Sequence, residues 1–175
     1  MAKCVFRLSL EKHCRIDFQP FKSLFVRNAG QIILFIGFVL LPVYPVIDLG
    51  SLSPMWKYTD WVFTGIFGLM AALFLILGSL KLGKNLTPLP HPKNDGELVT
   101  SGVYGVVRHP IYSGVIFLAI AYSCWQLSIT HAIGAIVFLV FFDIKARKEE
   151  SWLSNKFSDY DAYRSQVKKL IPGLY

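Results

Sequence analysis

Arg108-His109-Pro110-Ile111-Tyr112-Ser113-Gly114 stands where a polar stretch enters an apolar one. A guanidinium, an imidazole and a phenol at the mouth of a membrane segment are costly unless they are paired. The candidate partners follow the next apolar stretch, in Lys145-Ala146-Arg147-Lys148-Glu149-Glu150. If the two apolar stretches are antiparallel neighbours, both clusters emerge at one membrane face and build one ionisable pocket. Arg108, Lys145 and Arg147 suit a carboxylate or phosphate; Glu149 and Glu150 suit an amine or ribose hydroxyls. The mixture matches a polar, zwitterionic ligand. The residues alone also allow a plainer reading, in which basic residues at a span end only set topology.

Other chemistries find no support. No glycine fingerprint of a dinucleotide fold follows a strand, and there is no P-loop. No Gly-x-Ser-x-Gly elbow is present. His13, His91, His109 and His131 lack metal-ligand spacing, and Cys4, Cys14 and Cys124 are scattered, so neither a metal centre nor a disulfide framework is expected. The net charge is +7, but the Lys and Arg residues lie outside the apolar runs. No basic face interleaved with aromatics is formed, and nucleic acid is not an expected partner.

The elements that must position the two clusters are membrane helices. Of 175 residues, 54% are hydrophobic and 17% charged, and the mean hydropathy is +0.48, values of an integral membrane protein. The expected fold is all-α. It has about four transmembrane helices, at residues 28–47, 61–82, 111–126 and 129–144, the last two forming a short hairpin, plus a cytoplasmic C-terminal helix. Pro42 and Pro45 end or kink the first. Gly65, Gly68, Ala71, Ala72 and Gly78 would let another helix approach the second. Residues 81–107, with Pro88, Pro90 and Pro92, form a long segment placed as a lid or wall over the pocket. From residue 145 the tail is helical, and Ile171-Pro172-Gly173 stops it. Three regions result: a cytoplasmic tail at 1–26, two spans at 27–82, and a cofactor-binding region at 83–175. Basic residues crowd the tails and the long segment and avoid the other connections, which places both termini in the cytoplasm.

The order Arg108-His109-Pro110-x-Tyr112-x-Gly114, an apolar hairpin and then Glu149-Glu150 resembles the paired signature of the isoprenylcysteine carboxyl methyltransferase and phospholipid methyltransferase superfamily. Gly83-x-Asn85-Leu86-Thr87-Pro88, Leu98-Val99-Thr100-x-Gly102-x-Tyr104, Tyr160-x-x-Tyr163 and Leu170-Ile171-Pro172-Gly173 are similar to its small prokaryotic members. The resemblance covers residues 80–175. It implies an enzyme of the prokaryotic inner membrane that uses S-adenosyl-L-methionine without a Rossmann domain. His109, Tyr112 and Glu150 would be the catalytic residues. Arg108, His109, Tyr112, Gly114, Lys145, Arg147, Glu149 and Glu150 would bind the cofactor. Which of Arg108, Lys145 and Arg147 holds its carboxylate stays open. The leading acceptor is the carboxylate of a prenylated cysteine, entering from the bilayer between the second span and the hairpin past Gly68 and Ala72. A phospholipid amine and a small thiol are alternatives. A membrane reductase of the sterol-reductase type using NADPH, and a non-catalytic membrane assembly protein, are the rival readings. The oligomeric state is not legible.

Overall fold

A computed structural model describes residues 19–44, 56–83 and 98–175. The chain divides into two units, Met1–Phe35 and Ile36–Tyr175, and the first contributes the start of one helix. Helix α1 is Gln19–Val39, starting well before the expected span. Pro20 suits a first helical turn, where its missing amide would be unpaired anyway. The helix ends just short of Pro42. Helix α2 is Trp56–Leu82. A 3-10 turn, Gly102–Gly105, precedes helix α3, Pro110–Gln126. Helix α4 is Ile129–Lys156, and the short α5 is Tyr160–Gln166. Among the described residues there is no β-strand; one isolated parallel bridge joins Val107 to Lys168.

The expected C-terminal helix divides in two. Nothing between Ile144 and Lys156 breaks a helix, and Lys, Ala, Arg and Glu favour one. The hairpin's second arm therefore continues through the charged cluster as one helix of 28 residues. At about 1.5 Å per residue it is about 42 Å long, against about 30 Å of hydrocarbon. Its apolar part ends at Ile144, and Lys145–Lys156 continues the helix with charged and polar residues. The chain turns extended at Phe157 before α5 forms.

Two helical segments, Tyr58–Leu82 and Ile129–Lys156, are long and apolar enough to cross a membrane. Ala29–Val39 and α3 are shorter apolar helices. Membrane-type composition shows in what faces outward: Ile66, Leu69, Leu73, Ile133, Ile136 and Val140 are all exposed.

Close packing joins α2 to α3. A Cβ on Gly114 would lie 2.7 Å from Leu75 Cγ and 3.0 Å from the Leu75 backbone nitrogen. One on Gly78 would meet Ile111 and Pro110 at 3.2 and 3.3 Å. Ala71, Phe74 and Phe117 fill the seam beside them. Of the small residues expected there, Ala71 and Gly78 are in contact. A Cβ at Gly65 or Gly68 would meet nothing within 4 Å, and Ala72 is exposed.

The α3–α4 connection is only Leu127 and Ser128. Leu127 takes a left-handed conformation, φ 47°. Its amide bonds to Cys124 O and that of Ser128 to Ser123 O, the paired closure of a Schellman end. The Ile129 amide and the Thr130 hydroxyl then donate to Tyr44 O and Pro42 O, at 3.1 and 2.6 Å. The turn is thereby tied to the end of α1, and the arms lie antiparallel. Residue 108 and residue 150 meet at the other end.

Candidate active site

The site begins with main-chain bonds. Arg108 N donates to Lys168 O at 2.8 Å and His109 N to Lys169 O at 3.2 Å. The strap 167–170 thus runs beside the turn that precedes α3. Ser113, one turn into α3, donates its hydroxyl to Leu170 O at 2.5 Å. Pro110 takes the first position of α3, with His109 as its cap.

Arg108 fastens three segments. Its Nε donates to Glu150 Oε1 at 2.8 Å. Its Nη1 donates to Arg164 O at 3.0 Å and also to Val167 O. The same Glu150 oxygen lies 3.2 Å from His109 Nε2, while His109 Nδ1 is 3.5 Å from Glu149 Oε2. Both imidazole nitrogens therefore face carboxylates. Arg164 Nε stands 3.7 Å from Glu150 Oε2.

Glu150 is 1% exposed. Burial alone would push its carboxyl upward, but hydrogen bonds from His109 and Arg108 and the adjoining positive charge win and hold it at about 2. The site thus keeps a buried anion. The surrounding phenols stay protonated. Burial raises Tyr104 and Tyr160 above the ordinary tyrosine range, and Tyr163 to about 12. Tyr163 spends its proton on Tyr104 O at 2.6 Å.

Tyr112 forms a wall. Its ring lies nearly parallel to that of His109, 6° between planes and 5.4 Å between centroids, and 4.9 Å from Phe142. Lys145 Nζ sits 5.1 Å from the Tyr112 centroid, a cation over an aromatic face.

Arg108, His109, Tyr112, Glu149 and Glu150 are thus brought together, with Lys145 against Tyr112. Arg147 joins another network: its Nε meets Asp143 Oδ2 at 2.7 Å and its Nη2 meets Tyr175 Oη at 3.2 Å. Lys169 Nζ completes that network at 2.9 Å from Asp143 Oδ1. Gly114 faces Leu75, so the close approach it permits is between helices. The expected lid falls largely on residues 84–97, outside the described residues. Sequence reasoning missed Tyr160, Arg164 and the strap carbonyls. Tyr160 and Tyr163 did carry a signal, as a recurring pair with no role attached.

Beside the site an apolar cleft of about 520 Å³ opens between α3 and α4. Ile116, Ile120, Ala135 and Leu139 form its walls, and it reaches from Leu127 and Ser128 at the turn to Ile171, just past the strap. It lies within the hairpin rather than in the α2–α3 seam.

The donor set suits a zwitterionic ligand with hydroxyls. Glu150 Oε2 and Tyr160 Oη are buried without a hydrogen-bond partner, which leaves an acceptor and a donor for one. S-adenosyl-L-methionine, with its ribose, ammonium and carboxylate, fits these residues.

Comparison with known proteins follows the same line. The family model described as phospholipid methyltransferase matches residues 59–160, more than half of the chain. A protein-S-isoprenylcysteine O-methyltransferase of Schizosaccharomyces pombe is 34% identical over 83 residues, 45% of this chain and 34% of that protein. A methanethiol S-methyltransferase of Pseudomonas deceptionensis is 31% identical over 81 residues, 46% of this chain and 30% of that one. A nickel-cobalt-cadmium resistance protein of Alcaligenes xylosoxydans xylosoxydans is 33% identical over 79 residues, 45% and 37% of the two chains. Each match thus spans about a third of the curated relative. Among solved structures, the eukaryotic intramembrane Ras methyltransferase, an isoprenylcysteine carboxyl methyltransferase, superposes with a TM-score of 0.60 at 22% identity, covering 91% of this chain and 55% of that one.

Proposed function

Because the chain belongs to the phospholipid methyltransferase family, we propose that it is a membrane methyltransferase that takes its methyl group from S-adenosyl-L-methionine and passes it to a membrane-borne acceptor, the carboxylate of a prenylated cysteine. The observation that carries this reading is the buried Glu150, tied to Arg108 and His109 at one end of an apolar hairpin. When bound, the cofactor supplies a methyl group on a sulfonium, open to in-line displacement.

The protein's part is to bind, align and exclude water. Glu150 would take hydroxyl or ammonium donors. Tyr112 and Phe142 give an aromatic wall where the sulfonium charge, lost during reaction, is better placed dry than hydrated. Alignment of acceptor and methyl supplies much of the rate. Lys145, over the Tyr112 ring of the aromatic wall, is the basic residue we assign to the cofactor's carboxylate.

The surroundings of His109 support a carboxylate as the acceptor class. An amine must lose a proton before attack, which calls for an open base. Both nitrogens of His109 face Glu149 and Glu150. A carboxylate is ionised at neutral pH and needs no base. The cleft between α3 and α4, apolar and ending at the strap, suits the hydrocarbon part of such an acceptor.

The test is transfer of labelled methyl from S-adenosyl-L-methionine by purified protein in bilayers, offered a farnesylcysteine, a phosphatidylethanolamine or methanethiol. Base-labile methyl ester on the farnesylcysteine is the expected product. Label only on the amine or the thiol would reassign the acceptor, and no transfer to any of them would reject the proposal.

A further inference from the structure

Glu150 uses one carboxylate oxygen twice and the other hardly at all. Oε1 takes Arg108 and His109, whereas Oε2 has only Arg164 Nε at 3.7 Å, beyond hydrogen-bond range. A second buried group shares this condition: Tyr160 is 1% exposed and its hydroxyl is unpartnered. Leaving such a group buried and unsatisfied is unfavourable.

The short α5 relates the two. Tyr160 and Arg164 are four residues apart and lie on one face of that helix. That face is turned to Glu150, because Arg164 approaches Oε2 and Arg108 clasps Arg164 O while holding Oε1. The Tyr160 ring packs against Tyr163, which is fixed by its bond to Tyr104 O. The phenol, at the start of α5, is near enough to feel the charges of both Glu150 and Arg108.

We infer that Tyr160 is a ligand-binding residue of this site and that, with Glu150 Oε2, it grips a hydroxyl group, a ribose hydroxyl of the adenosyl cofactor. This rests on the proposed use of that cofactor. The chemistry selects a hydroxyl. A carboxylate only accepts, and a protonated phenol has a proton to give. The group that satisfies both must donate to one and accept from the other. An ammonium or an exocyclic amine only donates; a hydroxyl does both.

The experiment is calorimetric binding of S-adenosylhomocysteine, and of its 2′-deoxy and 3′-deoxy analogues, to wild type and Tyr160→Phe in detergent. Thermal midpoints without ligand establish that the variant is folded. Wild type is expected to bind the parent compound and to lose about fivefold to tenfold on removal of one of the two hydroxyls, the loss typical of a hydrogen bond. Tyr160→Phe is expected to lose a similar factor with the parent and to become indifferent to that same hydroxyl. That indifference separates a contact from a merely structural role. If Tyr160→Phe binds as wild type does, or its loss simply multiplies that of the deoxy analogue, the inference fails and the methyltransferase reading stands. Should the variant not fold, equal binding of all three compounds by wild type overturns the inference, because an ordered water then fills the place. If wild type binds none of them, the methyltransferase reading falls and takes this inference with it.

Discussion

Arg108 holds Glu150, Arg164 and Val167 with two nitrogens, so replacing it acts on the α4 end, α5 and the strap at once. Lysine carries the charge but not the fork. Arg108→Lys should therefore destabilise the folded protein by about 1–3 kcal/mol, as expected when buried acceptors lose their donor; chemical denaturation in detergent measures it. A midpoint equal to wild type would show that the clasp is not needed. Glu150 sets the acid limit. Its carboxyl is held at about 2 when folded, against an ordinary value near 4.5. The stability it contributes is complete above pH about 4.5 and is lost as pH falls from there toward 2. The thermal midpoint of Glu150→Gln should accordingly be lower than that of wild type at pH 7, with the gap closing on acidification. A gap that stays constant down to pH 2 would contradict the ion-pair account.

At the scale of elements, glycine decides where helices touch. Gly114→Ala places a methyl 3.0 Å from the Leu75 backbone nitrogen, which no side-chain rotation relieves. A cost of about 1–3 kcal/mol is expected, measured as a drop in unfolding midpoint, whereas Gly68→Ala, with open space around it, should be near neutral. Similar effects from both would reject the packing described. These elements also mark what could be read from the sequence. The hairpin was legible because its arms are continuous apolar runs broken by the short polar turn of Gln126, Ser128 and Thr130. The two motifs were legible as one site because an antiparallel hairpin returns the chain to where it started. The length of α4 was not, because a change from apolar to charged residues ends a membrane span without ending a helix. The strap escaped too: its contribution is main-chain carbonyls, which any residue supplies. Tyr160 was visible only as half of a tyrosine pair, its burial set by the fold of α5 against Glu150.

For the whole molecule, the proposed reading gives the cofactor to the polar site and the acceptor's hydrocarbon to the cleft. The polar cluster sits where α4 leaves its apolar part, and the cleft runs down the hairpin from Ile171 to the turn. A prenyl chain lying in that cleft would bring its carboxylate toward the polar end. Ala135→Trp fills the wall of the cleft and touches none of the cofactor residues. It should cut transfer to a farnesylcysteine at least tenfold, leave S-adenosylhomocysteine affinity unchanged, and spare transfer to methanethiol. Equal loss with both acceptors would place the hydrocarbon elsewhere. On the proposed reading, cofactor affinity and acceptor affinity should be separable by mutation.

The central claim is that the Arg108–His109–Glu150 cluster holds an adenosyl cofactor, and direct binding tests it. Calorimetry of S-adenosylhomocysteine on the purified protein, with His109→Ala and Glu150→Ala beside it, is the measurement to make. The account predicts one site in wild type and its loss in both variants while they remain folded. Wild-type protein that is folded in several detergents and binds no S-adenosylhomocysteine would contradict it.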